Sequence, residues 1–174
     1  VQELCRKEAA LPKDIEWHFI GHLQTNKVKY IVPFVSMIES VDSERLLAEI
    51  DRQCARCGRV VDVLLEVHLA CEETKSGFTT DELEALLATG IKERFPNVRV
   101  CGIMTMASFT DDENIIKGEF HTALVLFDKI KTKHFALDNH FSVKSWGMSG
   151  DYPLALLYGS NMVRVGTLLF GSRM

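Results

Sequence analysis

A chain of 174 residues, 47% hydrophobic and 25% charged, is sized and composed for one substantial core with no linker dividing it. Its net charge of −4 argues against a nucleic-acid surface, which needs clustered Lys and Arg; the densest basic run, Lys129, Lys131, Lys133 and His134, reads as a solvated helix end. Apolar stretches are broken by charge well short of the ~20 residues of a membrane span, and no signal-peptide pattern opens the chain.

In chain order, a helical opening over 1–11 stops at Pro12, and 15–21 alternates as a strand. A short helix over 26–31 is limited by Pro33, and a strand follows over 35–38. Asp42 or Ser43 caps a helix carrying Leu46, Leu47 and Ile50 on one face, and Gly58 ends it. Residues 60–69 form a Val- and Leu-rich run of the kind expected of a parallel strand covered on both sides. Thr79 or Thr80 caps a helix over 81–94, with Leu83, Leu86 and Leu87 as its buried stripe. Pro96 separates it from a strand over 98–104. Asp111, Asp112 and Glu113 load acidic charge into the first turn of a long helix over 112–135, within which Gly118 is a weak point. A strand over 141–146, a helix over 152–158 and a last strand over 162–165 complete the series. Strand and helix alternate six times, which indicates a parallel α/β sheet, open or closed.

Five cysteines, Cys5, Cys54, Cys57, Cys71 and Cys101, are odd in number and widely spaced, as expected for free thiols in a reducing cytoplasm. Cys54 and Cys57 have a C-x-x-C spacing, but no second pair completes a zinc site and the two sit at a helix end. His18 and His22 share a face if the first strand runs on through Gly21. No carboxylate or thiol at a suitable offset completes a metal site, so hydrogen-bonded histidines are expected.

Chemistry is concentrated near the C-terminus. The last strand carries Arg164 between Val163 and Val165 and empties at Gly166-Thr167 into a short segment. Such a strand-to-helix junction presents backbone N–H groups to an anion. A second small-residue turn, Gly147-Met148-Ser149-Gly150, lies about one β/α unit upstream, where Ser149 offers a hydroxyl to the same phosphate. Ligands of parallel α/β folds collect at such strand ends. Ser149 and Thr167 are otherwise ordinary helix caps, and Arg164 a surface ion pair.

These motifs, together with Trp17-His18-Phe19-Ile20-Gly21-His22-Leu23-Gln24-Thr25-Asn26-Lys27 and Lys75-Ser76-Gly77, resemble the pyridoxal phosphate homeostasis proteins, the proline synthetase co-transcribed family. That family is similar in fold to the barrel domain of alanine racemase. The resemblance implies a TIM-type (β/α)8 barrel of the alanine racemase N-terminal-domain type. Strands three to eight fall within residues 1–174 as one domain, truncated at its N-terminus. The family's cofactor lysine, in a Ser-Lys-x-Lys type motif ending the first strand, has no match here. On the resemblance, Ser149, Gly166 and Thr167 hold the phosphate of pyridoxal 5'-phosphate, Met148 contacts the cofactor from the same turn, and Arg164 faces the pyridine nitrogen. Gln24, Asn26 and Lys27 fix a loop and helix start. Glu72, Glu73 and Lys75 occupy a solvated loop, with Lys75 a further anion contact, and Met104 and Met106 line core or pocket.

An arginine offers only donors, so it suits an unprotonated ring nitrogen and leaves the ring a poorer electron sink than a carboxylate partner would. Alanine racemase shares this arginine, so Arg164 alone does not separate carrier from enzyme; the resemblance implies cytoplasmic carriage of pyridoxal 5'-phosphate in vitamin B6 homeostasis, without turnover, nucleic acid or membrane. The alternatives are an amino-acid racemase, whose second base is a tyrosine from a separate β domain, and a non-binding fragment. The chain's tyrosines are Tyr30, Tyr152 and Tyr158.

Overall fold

Six apolar stretches pair side by side in the computed structural model, which describes residues 1–70 and 76–171. They are β1 (His18–Phe19), β2 (Met37–Val41), β3 (Val61–Glu66), β4 (Val98–Met104), β5 (Val143–Met148) and β6 (Met162–Arg164). Every neighbouring pair is parallel and the spatial order is the chain order. Parallel neighbours need a crossover between them, which is why helices intervene. These are α1 (Gln2–Ala10), α2 (Val28–Ile31), α3 (Glu44–Cys57), α4 (Thr80–Ala88), α5 (Ile91–Arg94), α6 (Glu113–His134), α7 (Tyr152–Leu157) and α8 (Thr167–Phe170).

Local chemistry sets the helix limits. The Ser43 hydroxyl accepts from the Leu46 N–H at the start of α3, and Gly58 closes that helix in the left-handed region at φ 62°. Thr79 and Glu82 form a reciprocal capping box on α4. The Asp112 carboxylate accepts from the Asn114 N–H at the start of α6, which runs through Gly118 unbroken because its buried stripe of Ile116, Phe120, Ala123, Phe127 and Ile130 holds it to the core. Gly90, at φ 78°, divides the helix expected over 81–94 into α4 and α5.

Alternation along the strands sends Val61, Val63 and Leu65 toward the helices, where they join Leu46, Ile50, Leu83 and Phe120 in the main core. The opposite face carries Met37, Leu64, Cys101 and Met104 as a second, smaller apolar cluster. This second face is concave. Strands lie about 4.8 Å apart, so β2 and β5, three places apart in the order, would be separated by about 14 Å in a flat sheet. Yet the Ser145 hydroxyl of β5 reaches the Glu39 carboxylate of β2 at 2.7 Å, so the sheet curls as a partial barrel.

Five strands differ from their sequence-based limits: β3 and β6 lose end residues of 60–69 and 162–165, and three others change more in position or extent. The first shrinks from 15–21 to two residues because pairing with β2 covers only His18 and Phe19. The second moves from 35–38 to Met37–Val41, carrying Glu39 and Ser40 into the buried sheet. The fifth moves from 141–146 to Val143–Met148; Phe141 instead stacks between Phe127 and Phe135, ring centroids 5.0 and 4.3 Å away. Among the described cysteines all are free thiols, and Cys54, its thiol pushed up to about 11 by burial, is inert in the core while Cys57 faces solvent. Cys71 lies outside the described residues.

Candidate functional site

The concave face becomes polar toward the C-terminal strand ends. Inward-pointing positions of β1, β2, β5 and β6 contribute His18, Glu39, Ser145 and Arg164, which join in one chain of hydrogen bonds. His18 Nδ1 lies 2.9 Å from Glu39 Oε1. The Ser145 hydroxyl donates to Glu39 Oε2 at 2.7 Å and accepts from Arg164 Nη1, also at 2.7 Å. The same Nη1 donates to the Ser145 carbonyl and Nη2 to the Thr105 carbonyl, each at 2.9 Å. Because the carboxylate only accepts, the His18 ring carries its proton on Nδ1 here.

Charge in this chain is mutually supported. Burial works to raise the Glu39 carboxyl, but the hydrogen bonds from His18 and Ser145, with the Arg164 charge, outweigh it and hold it below the ordinary carboxylate range. The Glu39 hydrogen bond raises His18 against its partial burial. Burial lowers Arg164, opposed by Glu39, Glu66 and Asp151. Glu66, inward-facing at the end of β3, is raised by burial; its carboxylate accepts from the Ser76 hydroxyl at 2.8 Å.

The two small-residue turns meet at one end of the sheet. Gly147, at φ 97°, brings the backbone so close to α7 that a Cβ there would sit 2.5 Å from that of Ala155. The Met148 N–H donates to Asp151 Oδ1 at 2.6 Å, which locks the turn. Ser149 Oγ then accepts from the Gly166 N–H at 3.1 Å and the Leu168 N–H at 3.4 Å. Donors from the start of α8 thus converge on the Ser149 hydroxyl, with open space beside Gly166. Thr167 and Met148 are exposed at the rim. Arg164 is not the surface ion pair of the alternative reading: its guanidinium lies on the inner face, bonded to uncharged oxygens.

The histidines separate. His18 joins the buried chain, whereas His22, beyond the end of β1, is exposed with Nδ1 3.3 Å from Asp42 Oδ2. They do not share a strand face, because the strand stops at Phe19. Among the described residues no group of three or more His, Cys, Asp or Glu is arranged to hold a metal. Gln24 and Lys27 shape the turn into α2, the Lys27 N–H donating to the Gln24 carbonyl at 2.9 Å. Met104 is buried in the inner cluster and Met106 packs against it. Glu72, Glu73 and Lys75 lie outside the described residues.

Glu39, Ser145 and Thr105 are the polar groups that sequence reasoning passed over. The signal for Glu39 was available: a carboxylate following Met37-Ile38 and preceding Ser40-Val41 reads as a strand end, yet it is equally an inward position of a longer strand.

Comparison with known proteins agrees with this architecture. Residues 2–174 match the alanine racemase N-terminal domain family. The pyridoxal phosphate homeostasis protein of Aquifex aeolicus is 39% identical over 174 residues, covering 99% of this chain and 74% of the relative. That of Synechocystis sp. is 35% identical over 180 residues, covering 100% of this chain and 78% of the relative. The structure of PipY from Synechococcus elongatus PCC7942 with PLP bound superposes with a TM-score of 0.86 at 32% identity, covering 98% of this chain and 78% of PipY. An alanine racemase of Clostridium difficile 630 shares the fold, with a TM-score of 0.74 at 16% identity over 99% of this chain and 44% of that one.

Proposed function

The chain belongs to the pyridoxal phosphate homeostasis protein family, with a domain of the alanine racemase N-terminal type, and from that premise we propose that it binds pyridoxal 5'-phosphate and serves vitamin B6 homeostasis as a carrier without turnover. The observation that carries this reading is the convergence of Ser149, Gly166 and Leu168 beside the inward guanidinium of Arg164. The donor set fits the ligand: backbone N–H groups and a hydroxyl suit a phosphate, and a partly buried donor-only cation suits a ring nitrogen that keeps its lone pair.

In this assignment Ser149, Gly166 and Thr167 hold the phosphate, Met148 lies against the cofactor, and Arg164 faces the ring. Bound pyridoxal phosphate supplies an aldehyde on an electron-withdrawing ring. Arg164 meets that ring as a hydrogen-bond donor and not as a proton source, which favours retention over carbanion chemistry. Ser149 orients the phosphate by exchanging the N–H groups of Gly166 and Leu168, which it accepts here, for the anion. The six strands correspond to strands three to eight of an eight-stranded barrel and residues 1–174 to a single domain; their unbroken parallel order and their curl support this. Among the described residues no helix is long and apolar enough to cross a membrane. We place the protein in the cytoplasm, on its free thiols.

Titration of the chain with pyridoxal 5'-phosphate, followed by absorbance, tests the assignment. Saturable binding that is weakened by both Ser149→Ala and Arg164→Ala is expected. Binding unaffected by either substitution overturns the assignment of these residues.

A further inference from the structure

Arg164 reaches the site already restrained. Three of the five N–H donors of a guanidinium are taken up by the Ser145 hydroxyl, the Ser145 carbonyl and the Thr105 carbonyl, leaving Nε–H and one Nη2–H for a ligand. Of the three acceptors, only the Ser145 hydroxyl can rotate. Its proton is directed to Glu39 Oε2, so the lone pair it offers Arg164 is set by a carboxylate on a strand three places away. Glu39 and Ser145 are almost completely buried, 2% and 0% exposed, so no bulk water replaces either group if it is lost.

We propose that Glu39 is a positioning residue for the cofactor site: acting through the Ser145 hydroxyl, it fixes the Arg164 guanidinium in the orientation that meets the ring nitrogen, and it supplies the buried negative charge that balances that guanidinium. The proposal rests on the reading that Arg164 faces the ring. His18 completes the relay from the far side, its Nδ1–H holding the other carboxylate oxygen. Without the Glu39 charge the partly buried guanidinium keeps only the more remote charges of Glu66 and Asp151 and turns toward whatever acceptor or water it can reach, and a hydrogen-bonded network loses more than one bond when its central member goes. Retention of the ligand is therefore tied to a carboxylate that does not touch it.

A double-mutant cycle on the binding of pyridoxal 5'-phosphate separates this role from a merely structural one. Glu39→Gln keeps the size of the side chain and removes its charge. It is expected to weaken binding roughly tenfold and to shift the absorbance of the bound compound, as loss of one charge-assisted hydrogen bond would. In an Arg164→Ala background the same substitution is expected to change nothing further. Ser145→Ala breaks the relay with Glu39 in place and is expected to behave like Glu39→Gln, which covers the case in which that variant fails to fold. Equal losses from Glu39→Gln in both backgrounds, or parent-like affinity and absorbance in Ser145→Ala, would overturn the proposal while leaving the Arg164 assignment intact. Should Arg164→Ala itself bind as the parent does, the underlying reading fails and the proposal with it.

Discussion

Arg164 does two jobs that one substitution can separate. Its guanidinium ties β6 to β5 and to the residue after β4, and the same group faces the proposed cofactor position. Arg164→Ala should therefore cost on the order of 1–3 kcal/mol of stability, the usual range for hydrogen bonds to a charged group, while leaving the fold in place. Chemical denaturation measures the first effect and cofactor titration the second; a variant that loses stability but binds normally would reduce Arg164 to a tie between strands. The His18 and Glu39 pair predicts a pH dependence. His18 is raised above its ordinary 6.5, so its contribution is full below about that pH and is lost as pH climbs through the raised value. Glu39 is lowered from 4.5, so its contribution is full above about that pH and is lost as pH falls through the lowered value. The pair stabilises most between roughly pH 4.5 and 6.5. Thermal midpoints of the parent and of His18→Gln should differ most in that window and converge on the alkaline side. A gap that stays constant from acid to alkali would show that the pair contributes no proton linkage.

At the scale of elements, the tightest of the glycine positions lies between β4 and β5. A Cβ at Gly102 would fall 1.8 Å from the Val143 carbonyl oxygen and 2.7 Å from its carbon, both backbone atoms that cannot step aside without parting the strands. Gly102→Ala should destabilise the chain by on the order of 4 kcal/mol or more, among the largest effects of a single methyl group. Since β5 carries Ser145, the substitution also disturbs the relay to Arg164. A denaturation midpoint within error of the parent would contradict the packing described. The cap of α4 offers a milder contrast: Thr79→Ala removes the hydroxyl that accepts from the Glu82 N–H, leaves the backbone N–H that donates to the Glu82 carboxylate, and should cost about 1 kcal/mol, read in the same experiment.

Across the whole molecule, the sheet has two ends. β1 and β6 each have one partner among the described strands, and the α7 and α8 helices flanking β6 leave Leu157, Leu169 and Phe170 exposed by 80%, 71% and 86%. Unpaired edges and apolar side chains of this size invite self-association. Sedimentation of the 174-residue chain should show concentration-dependent oligomers, reduced when Leu169 and Phe170 are replaced by serine; a monomer at every concentration would exclude this. Four of the lysines are engaged away from the inner face. Lys144, on β5, sits over the Phe127 ring on the helix side, and Lys117, Lys129 and Lys133 pair with surface carboxylates. Borohydride treatment of the chain with pyridoxal phosphate, followed by peptide mapping, should therefore label no single lysine stoichiometrically.

Much of this architecture is local and so was legible in the residues. The caps at Ser43 and Thr79, each one of two neighbouring candidates, the acidic start of α6, the stop at Gly58 and the strand at 98–104 follow from short-range hydrogen bonding and alternation, which depend on neighbours along the chain. The small-residue turns around Ser149 and Gly166 could be found for the same reason, and their meeting follows from the parallel order that alternating strands and helices impose. The Glu39, Ser145 and Arg164 relay could not be found that way. Its members are separated by 106 and 19 positions, and they touch because the sheet curls across four strands. Curvature comes from the summed twist of the strands and their packing against the helices, which no segment carries alone. Sequence by itself determined the order of the elements and the two small-residue turns; tertiary structure decided which buried charge stands behind Arg164, because a carboxylate in an apolar strand is interpretable only once the partner that desolvation demands is in place.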